Sequence, residues 1–298
     1  MRKIHKGKIL DKKDGFSVID CVSCGFKHID PLPSDEEVSK LYKQDFYSKE
    51  KPSYFKNAKE DFLWWMATYN NYYSTFEKYT KGRKILDIGS GPGDFLVCGR
   101  KRGWKVLGVE PSTAAWKYSK KQKLSVVNDF FTYKAMKQYG LFDVIHASMV
   151  LEHVSDPVSF IKDMKELLKP SGLLVIYCPN DYNPLQETLR KKLKFQPWWV
   201  VPKHHLNYFD LVSMEKLLNR LGFDKLEALG TFPMELFLLG GVNYVVNSKL
   251  GKKCHKIRKV LEMSMYKNCP EVLNSLYSSL IEKNIGRSFL LVAKKSKF

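Results

Sequence analysis

The sequence predicts an α/β fold: a doubly wound sheet, mostly parallel with an antiparallel last strand. An N-terminal hairpin and helical cap precede it, and a helical insertion comes before the last strand. Three observations carry this. From residue 83 onward, short apolar runs alternate with helical stretches, which implies parallel strands joined by right-handed crossovers. The first run, Ile85-Leu86-Asp87-Ile88, breaks into Gly89-Ser90-Gly91-Pro92-Gly93 and then resumes as a helix. The last run, Arg287–Ala293, arrives only after a basic, polar, helix-like stretch over 234–286.

The elements follow in order. Lys8–Leu10 and Phe16–Asp20 flank Asp14-Gly15, a strong hairpin signal. Ser34 with Asp35, Glu36 and Glu37 opens a helix, as a serine cap followed by first-turn acids. A long aromatic helix is expected over 55–79. Strands are expected at 83–88, 104–109, 124–128, 142–147 and 172–178, with helices near 94–102, 112–122, 130–138 and 157–169 between them. A long connection, 179–209, carries Pro184, Pro197 and Pro202. A helix at 211–221 ends at Gly222, and a strand follows at 223–230. The resulting division is 1–80 as knuckle and lid, 81–233 with 287–298 as the sheet domain, and 234–286 as the insertion.

The chain has 298 residues, 44% of them hydrophobic and 13% aromatic, enough for a buried core. No window approaches the roughly 18–20 unbroken apolar residues of a membrane span, and Met1–Lys6 lacks the apolar core of a secretory signal. Six cysteines without regular spacing point to a reducing, cytoplasmic setting. The net charge of +19 admits nucleic acid, anionic membrane or acidic substrates as partners. The lysines are scattered through every segment, however, so a whole-chain bias outweighs a nucleic-acid surface. Only 190–203 combines clustered charge with paired aromatics, Trp198 and Trp199. That segment is the candidate for a phosphate-bearing donor or peripheral contact with an anionic membrane surface.

The glycine turn is where a nucleoside would sit. Glycine lets backbone approach a ligand, and the helix N-terminus presents free N–H groups. Asp87 and Asp94 would repel a pyrophosphate but suit a nucleoside whose far end is cationic. Glu110, followed by Pro111, ends the second strand about 20 residues past the glycines, where an acid accepts from both ribose hydroxyls. Nicotinamide enzymes need the same acid, so Glu110 signals a ribose without naming the cofactor. Asp129 and Phe130 close the third strand, suited to an exocyclic amine and a ring face; a simple helix cap is the alternative. Ser148 closes the fourth strand.

Phe142-Asp143-Val144-Ile145, then Leu151-Glu152-His153-Val154, Asp156-Pro157, and Leu167-Leu168-Lys169-Pro170-Ser171-Gly172 resemble the middle of small-molecule class I methyltransferases, over about 83–180. The resemblance implies a Rossmann-like domain binding S-adenosylmethionine through Asp87, Gly89, Ser90, Gly91, Gly93, Glu110, Pro111, Asp129, Phe130 and Ser148. The outer parts resemble a bacterial group associated with sugar and surface-polysaccharide methylation, through Cys21-Val22-Ser23-Cys24-Gly25-Phe26, Pro31-Leu32-Pro33-Ser34, Tyr42 and Tyr47. His205-Leu206-Asn207-Tyr208-Phe209 resembles the His-Leu-x-Tyr-Phe stretch of sugar C-methyltransferases, whose histidine lies at the active site. Lys203-His204 replaces their His-Glu, which puts C-methylation in doubt.

The expected acceptor is therefore a small molecule, a sugar hydroxyl of a nucleotide- or lipid-linked saccharide, with His205 as general base and His153 as second candidate. Backbone-satisfied loop histidines are the plainer alternative for both. Tyr42 and Tyr47 are candidates for a lid. RNA or protein methylation and a non-catalytic nucleotide-binding scaffold are the competing readings. Cys21 and Cys24 would be half of a zinc ribbon in the sugar C-methyltransferases, which pair two knuckles. Here no first Cys-x-x-Cys precedes them, and only His5 and His28 could complete four ligands. A metal-free knuckle is the reading taken.

Overall fold

The computed structural model describes residues 5–34, 36–37 and 58–296. Tyr42 and Tyr47 lie outside them, as does the start of the expected aromatic helix, whereas the expected cap at Ser34 is present: its Oγ accepts from Glu37 N at 3.3 Å and the Glu37 carboxylate accepts from Ser34 N at 2.8 Å.

Eleven described strands form two sheets. The larger has seven, in the order β10 (Phe223–Gly230), β11 (Ser288–Lys295), β8 (Leu168–Pro179), β7 (Phe142–Ser148), β4 (Lys84–Ile88), β5 (Lys105–Val109), β6 (Val126–Val127). Strands β8 to β6 are parallel throughout, and β11 runs antiparallel to both of its neighbours. This is the sheet predicted, including its single reversed strand.

Its strands are apolar on both faces because both faces are covered. Along β8, Leu174, Ile176 and Cys178 enter one core and Leu173, Val175 and Tyr177 the other. The first core is closed by α5 (Pro157–Glu166) and α7 (Leu211–Arg220), the latter started by an Asp210–Ser213 capping box. The second is closed by α1 (Phe62–Tyr79) and α2 (Asp94–Lys101), through Tyr72, Tyr73, Phe76 and Phe95. Helix α3 (Thr113–Lys121) links β5 to β6.

Three regions differ from expectation. The third strand keeps only Val126–Val127, and the following helix is one short turn, α4 (Tyr133–Met136), continued as a 3₁₀ turn. Helix α5 stops at Glu166, and β8 starts four residues early because Ser171 takes a left-handed conformation, φ 59°, which carries Lys169–Gly172 into the strand. The connection 179–209 is not irregular: Asn183 caps α6 (Pro184–Leu193), and Asn207–Tyr208 form β9.

The smaller sheet orders β1 (Gly7–Lys13), β2 (Phe16–Cys21), β3 (Phe26–Asp30) and β9. Its last pairing joins Lys27 to Tyr208 and His28 to Asn207, binding the N-terminus to the 204–209 segment. Residues 235–282 hold α8 (Glu235–Leu239), α9 (Ser248–Asn268) and α10 (Pro270–Glu282). No described helix is long and apolar enough to cross a membrane.

Candidate active site

The glycine turn sits at the carboxyl end of β4. Gly89, Gly91 and Gly93 adopt φ of 68°, 52° and 91°, in the region that strains any other residue. Space is tight as well: a Cβ on Gly89 would lie 2.7 Å from Val150 Cγ2, and one on Gly93 2.4 Å from Leu124 Cδ1, so either would have to push that side chain aside. The N–H groups of Gly89 and Ser90 donate to the Val109 carbonyl at 2.9 and 3.2 Å, holding the turn against the end of β5.

Glu110, at that end, is 4% exposed. Its carboxylate accepts from Gly91 N at 2.8 Å and Ser112 N at 2.9 Å. Burial pushes its pKa up to about 7, against the pull of those two N–H groups. A carboxylate offers about four lone-pair positions, so two remain for a ribose diol. Ser90 Oγ is buried without a partner beside it. A built turn and a buried acceptor fit a nucleoside cofactor.

The other expected cofactor residues fall into place unevenly. Asn128 Nδ2 donates to the Glu110 and Pro111 carbonyls, so the third strand end meets the second. Asp129 is exposed, and its carboxylate accepts from the neighbouring Phe130 N at 2.8 Å. Ser148 ends β7 in register with Tyr177. Asp87 points away from solvent: its Oδ1 accepts from His146 Nδ1 at 2.7 Å, and the His146 ring stacks on Phe95 at 4.0 Å. Burial raises the Asp87 pKa and His146 opposes it. In the described structure Asp87 braces two strands under the glycine turn. A cavity of about 230 Å³ lies on the turn's outer side, lined by Phe62, Pro92, Asp94 and Tyr118 among others.

Beside Gly89, across Val150, the chain after β7 turns into Leu151–His153. Met149, at φ 52°, redirects it. The 204–207 segment is laced onto this turn. Asn207 Nδ2 donates to the Leu151 and Val154 carbonyls at 3.0 and 2.7 Å, and Leu206 N donates to the Glu152 carbonyl at 2.7 Å. His153 Nδ1 lies 2.6 Å from the His204 carbonyl. A carbonyl only accepts, so Nδ1 carries the proton and Nε2 the lone pair. The two expected catalytic histidines therefore meet, with His153 and His205 ring centroids 5.1 Å apart.

Glu152 was not among the residues expected from the sequence. It is 1% exposed, and burial raises its pKa to about 8, with the nearby Asp181 adding to the shift. Its Oε1 is 3.9 Å from His153 Nε2. Ligand atoms of Glu152, His153 and His205 all lie within 4.8 Å of one another. Asp181, pushed by burial to about 7 against the pull of Arg287, extends this acidic wall after β8. Buried carboxyls with strongly raised pKa values are a physical marker of functional sites. The only signal for Glu152 was its place in Leu151-Glu152-His153-Val154.

Two of the five basic residues of the 190–203 segment are ion-paired. Arg190 pairs with Asp11 and Glu187, Lys191 pairs with Glu187, and Trp199 is buried in a core with Val18, Ile29 and Tyr208. The two tryptophans thus serve the join between the sheets before any surface.

Residues 66–228, more than half of the chain, match the sequence model of a family described as a methyltransferase domain. The chain belongs to that family. Over those residues it carries a methyltransferase domain.

Curated relatives include a ubiquinone biosynthesis O-methyltransferase of Actinobacillus pleuropneumoniae, 36% identical over 103 residues, covering 31% of this chain and 44% of the relative. Another of that name, from Rhodopseudomonas palustris, is 32% identical over 99 residues, covering 32% and 39%. The chain thus spans less than half the length of these relatives. Among solved structures, the plantazolicin methyltransferase BpumL, in complex with a monoazolic desmethylPZN analog and SAH, superposes with a TM-score of 0.52. The two are 16% identical over 87% of this chain and 96% of BpumL. A SAM-dependent methyltransferase of Archaeoglobus fulgidus gives a TM-score of 0.50 at 19% identity, over 81% and 100%. At these identities the structures establish the fold.

Proposed function

We propose that this methyltransferase acts on a hydroxyl oxygen of a small-molecule acceptor, with a saccharide hydroxyl as the narrower reading. The observation that carries it is the Glu152–His153–His205 cluster beside Gly89. The curated relatives are named O-methyltransferases, which favours oxygen over carbon as the methylated atom. The sugar reading rests on the His205–Phe209 and N-terminal resemblances alone.

Bound S-adenosylmethionine supplies an electrophilic methyl on a sulfonium. The chain's own residues do the rest. Glu110 and the turn at Gly89–Gly93 hold the nucleoside, with Asp129 and Phe130 at the adenine end. A hydroxyl is a poor nucleophile until its proton can leave, and His205 takes it. His153 is fixed in one tautomer by the His204 carbonyl, and Glu152, once ionised, offsets the positive charge that His205 acquires. Alignment and exclusion of water supply most of the remaining acceleration.

Labelled S-adenosylmethionine, incubated with the protein and a panel of phenolic, sugar-nucleotide and lipid-linked hydroxyl compounds, identifies the acceptor by mass spectrometry. With that acceptor, His205→Gln is expected to lose turnover by roughly 100-fold or more while cofactor affinity holds. Undiminished turnover would remove His205 from the mechanism.

A further inference from the structure

We propose that His5, Cys21, Cys24 and His28 form a tetrahedral zinc site in the N-terminal sheet. Strand β2 ends on Cys21, which is 1% exposed. The chain turns through Val22 and Ser23 and returns with Gly25 N donating to the Cys21 carbonyl at 2.9 Å. Gly25, at φ 77°, makes the reversal. The turn brings Cys24 back beside Cys21, and neither cysteine is in a disulfide. His5, just before β1, places Nδ1 3.3 Å from Cys24 Sγ and 3.7 Å from Cys21 Sγ.

The fourth residue carries the argument. His28 lies on β3 and is 2% exposed. Its Nδ1 donates to the Ile29 carbonyl at 2.8 Å, so Nε2 bears the lone pair, and that atom is buried with no partner. A backbone-oriented ring with its other nitrogen left open is how metal-ligating histidines are held. An orphaned buried acceptor costs on the order of 1–3 kcal/mol unless something fills the place.

The four ligand atoms all lie within 4.8 Å of one another. Tetrahedral zinc, with bonds near 2.3 Å to sulfur and 2.0–2.1 Å to nitrogen, sets ligand atoms about 3.3–3.8 Å apart. The His5 distances already match, and a small contraction completes the set. The rings of His5 and His28 stand edge-on, at 88° and 4.7 Å between centroids. Two thiolates and two imidazoles favour zinc over harder cations. Binding releases the two thiol protons to solvent and leaves a neutral centre.

The site would staple β1 to the β2–β3 hairpin, a small sheet with a thin core of its own. His28 pairs with Asn207 across β3 and β9, so the same staple steadies the segment carrying His205. This proposal is independent of which acceptor is methylated.

Elemental analysis of the purified full chain, exchanged through reducing buffer containing zinc, is expected to give one tightly held zinc per molecule. Cobalt substitution should give a tetrahedral visible spectrum with a thiolate-to-cobalt charge-transfer band. Cys24→Ser and His28→Gln should lose the metal. His205→Gln and Glu152→Gln should retain it, which separates this cluster from the one at the active site. The cobalt spectrum of the unaltered chain reads the ligands even if a variant misfolds. A metal-free chain, a cobalt adduct without the charge-transfer band, or zinc kept by Cys24→Ser and lost by His205→Gln would each overturn the proposal.

Discussion

Glu152 is the residue whose chemistry is most open to test, because burial holds its carboxyl near 8. The unfolded chain loses that proton near pH 4.5, so between about 4.5 and 8 the folded state binds more protons than the unfolded one. Stability contributed by the neutral carboxyl is therefore full below that window and falls as pH rises through it. Glu110 and Asp181, both held near 7, steepen the decline in the lower part of the window. Glu152→Gln keeps the shape and removes the ionisation. It is expected to flatten the stability profile and to gain a few kcal/mol at pH 9. Urea melts at pH 5, 7 and 9 measure this; a parallel loss with pH in the variant would mean that Glu152 titrates normally.

At the scale of elements, the join between the 151–154 turn and the 204–207 segment decides whether His205 meets His153. Asn207 makes that join through two carbonyls. Asn207→Ala leaves both acceptors without their donor and should cost about 1–3 kcal/mol of stability. Turnover should fall further than this implies, since the base drifts while the cofactor turn stays intact. A stability loss with kcat preserved would assign Asn207 to packing alone. Such joins are where sequence reading ran short. The strands of the large sheet were legible because both faces demand apolar residues, as Leu173–Cys178 show, and the turn was legible because only glycine tolerates its backbone. Strand β9 was not legible: two residues, Asn207 and Tyr208, carry no periodicity, and their partner β3 lies about 180 residues earlier. Glu152 was read past for a related reason, since nothing local says that a glutamate beside a histidine is buried. Asp87 was legible as special but not as the partner of His146, which arrives from another strand.

Across the whole molecule, helix α1 and the two long helices of the insertion are tied together through Glu262. This buried carboxylate on α9 accepts from Trp64 Nε1 on α1 at 2.6 Å, from Arg258 Nε at 3.1 Å, and from the Tyr277 hydroxyl on α10. Glu262→Ala strands the Arg258 guanidinium, 12% exposed, without its counter-charge. A loss on the order of 3–5 kcal/mol is expected, seen as a lower denaturant midpoint in one cooperative transition. Two separate transitions would show that α9 and α10 melt apart from the sheet.

The central claim is that Glu110 and the turn at Gly89–Gly93 hold S-adenosylmethionine. Isothermal titration calorimetry of the full chain with S-adenosylmethionine, alone and as Glu110→Ala, tests it most directly. The account predicts one cofactor per chain, and an affinity lowered roughly 100-fold when two charge-assisted hydrogen bonds to the ribose are removed. Binding that is absent in the unaltered chain, or equal in the two proteins, would contradict it.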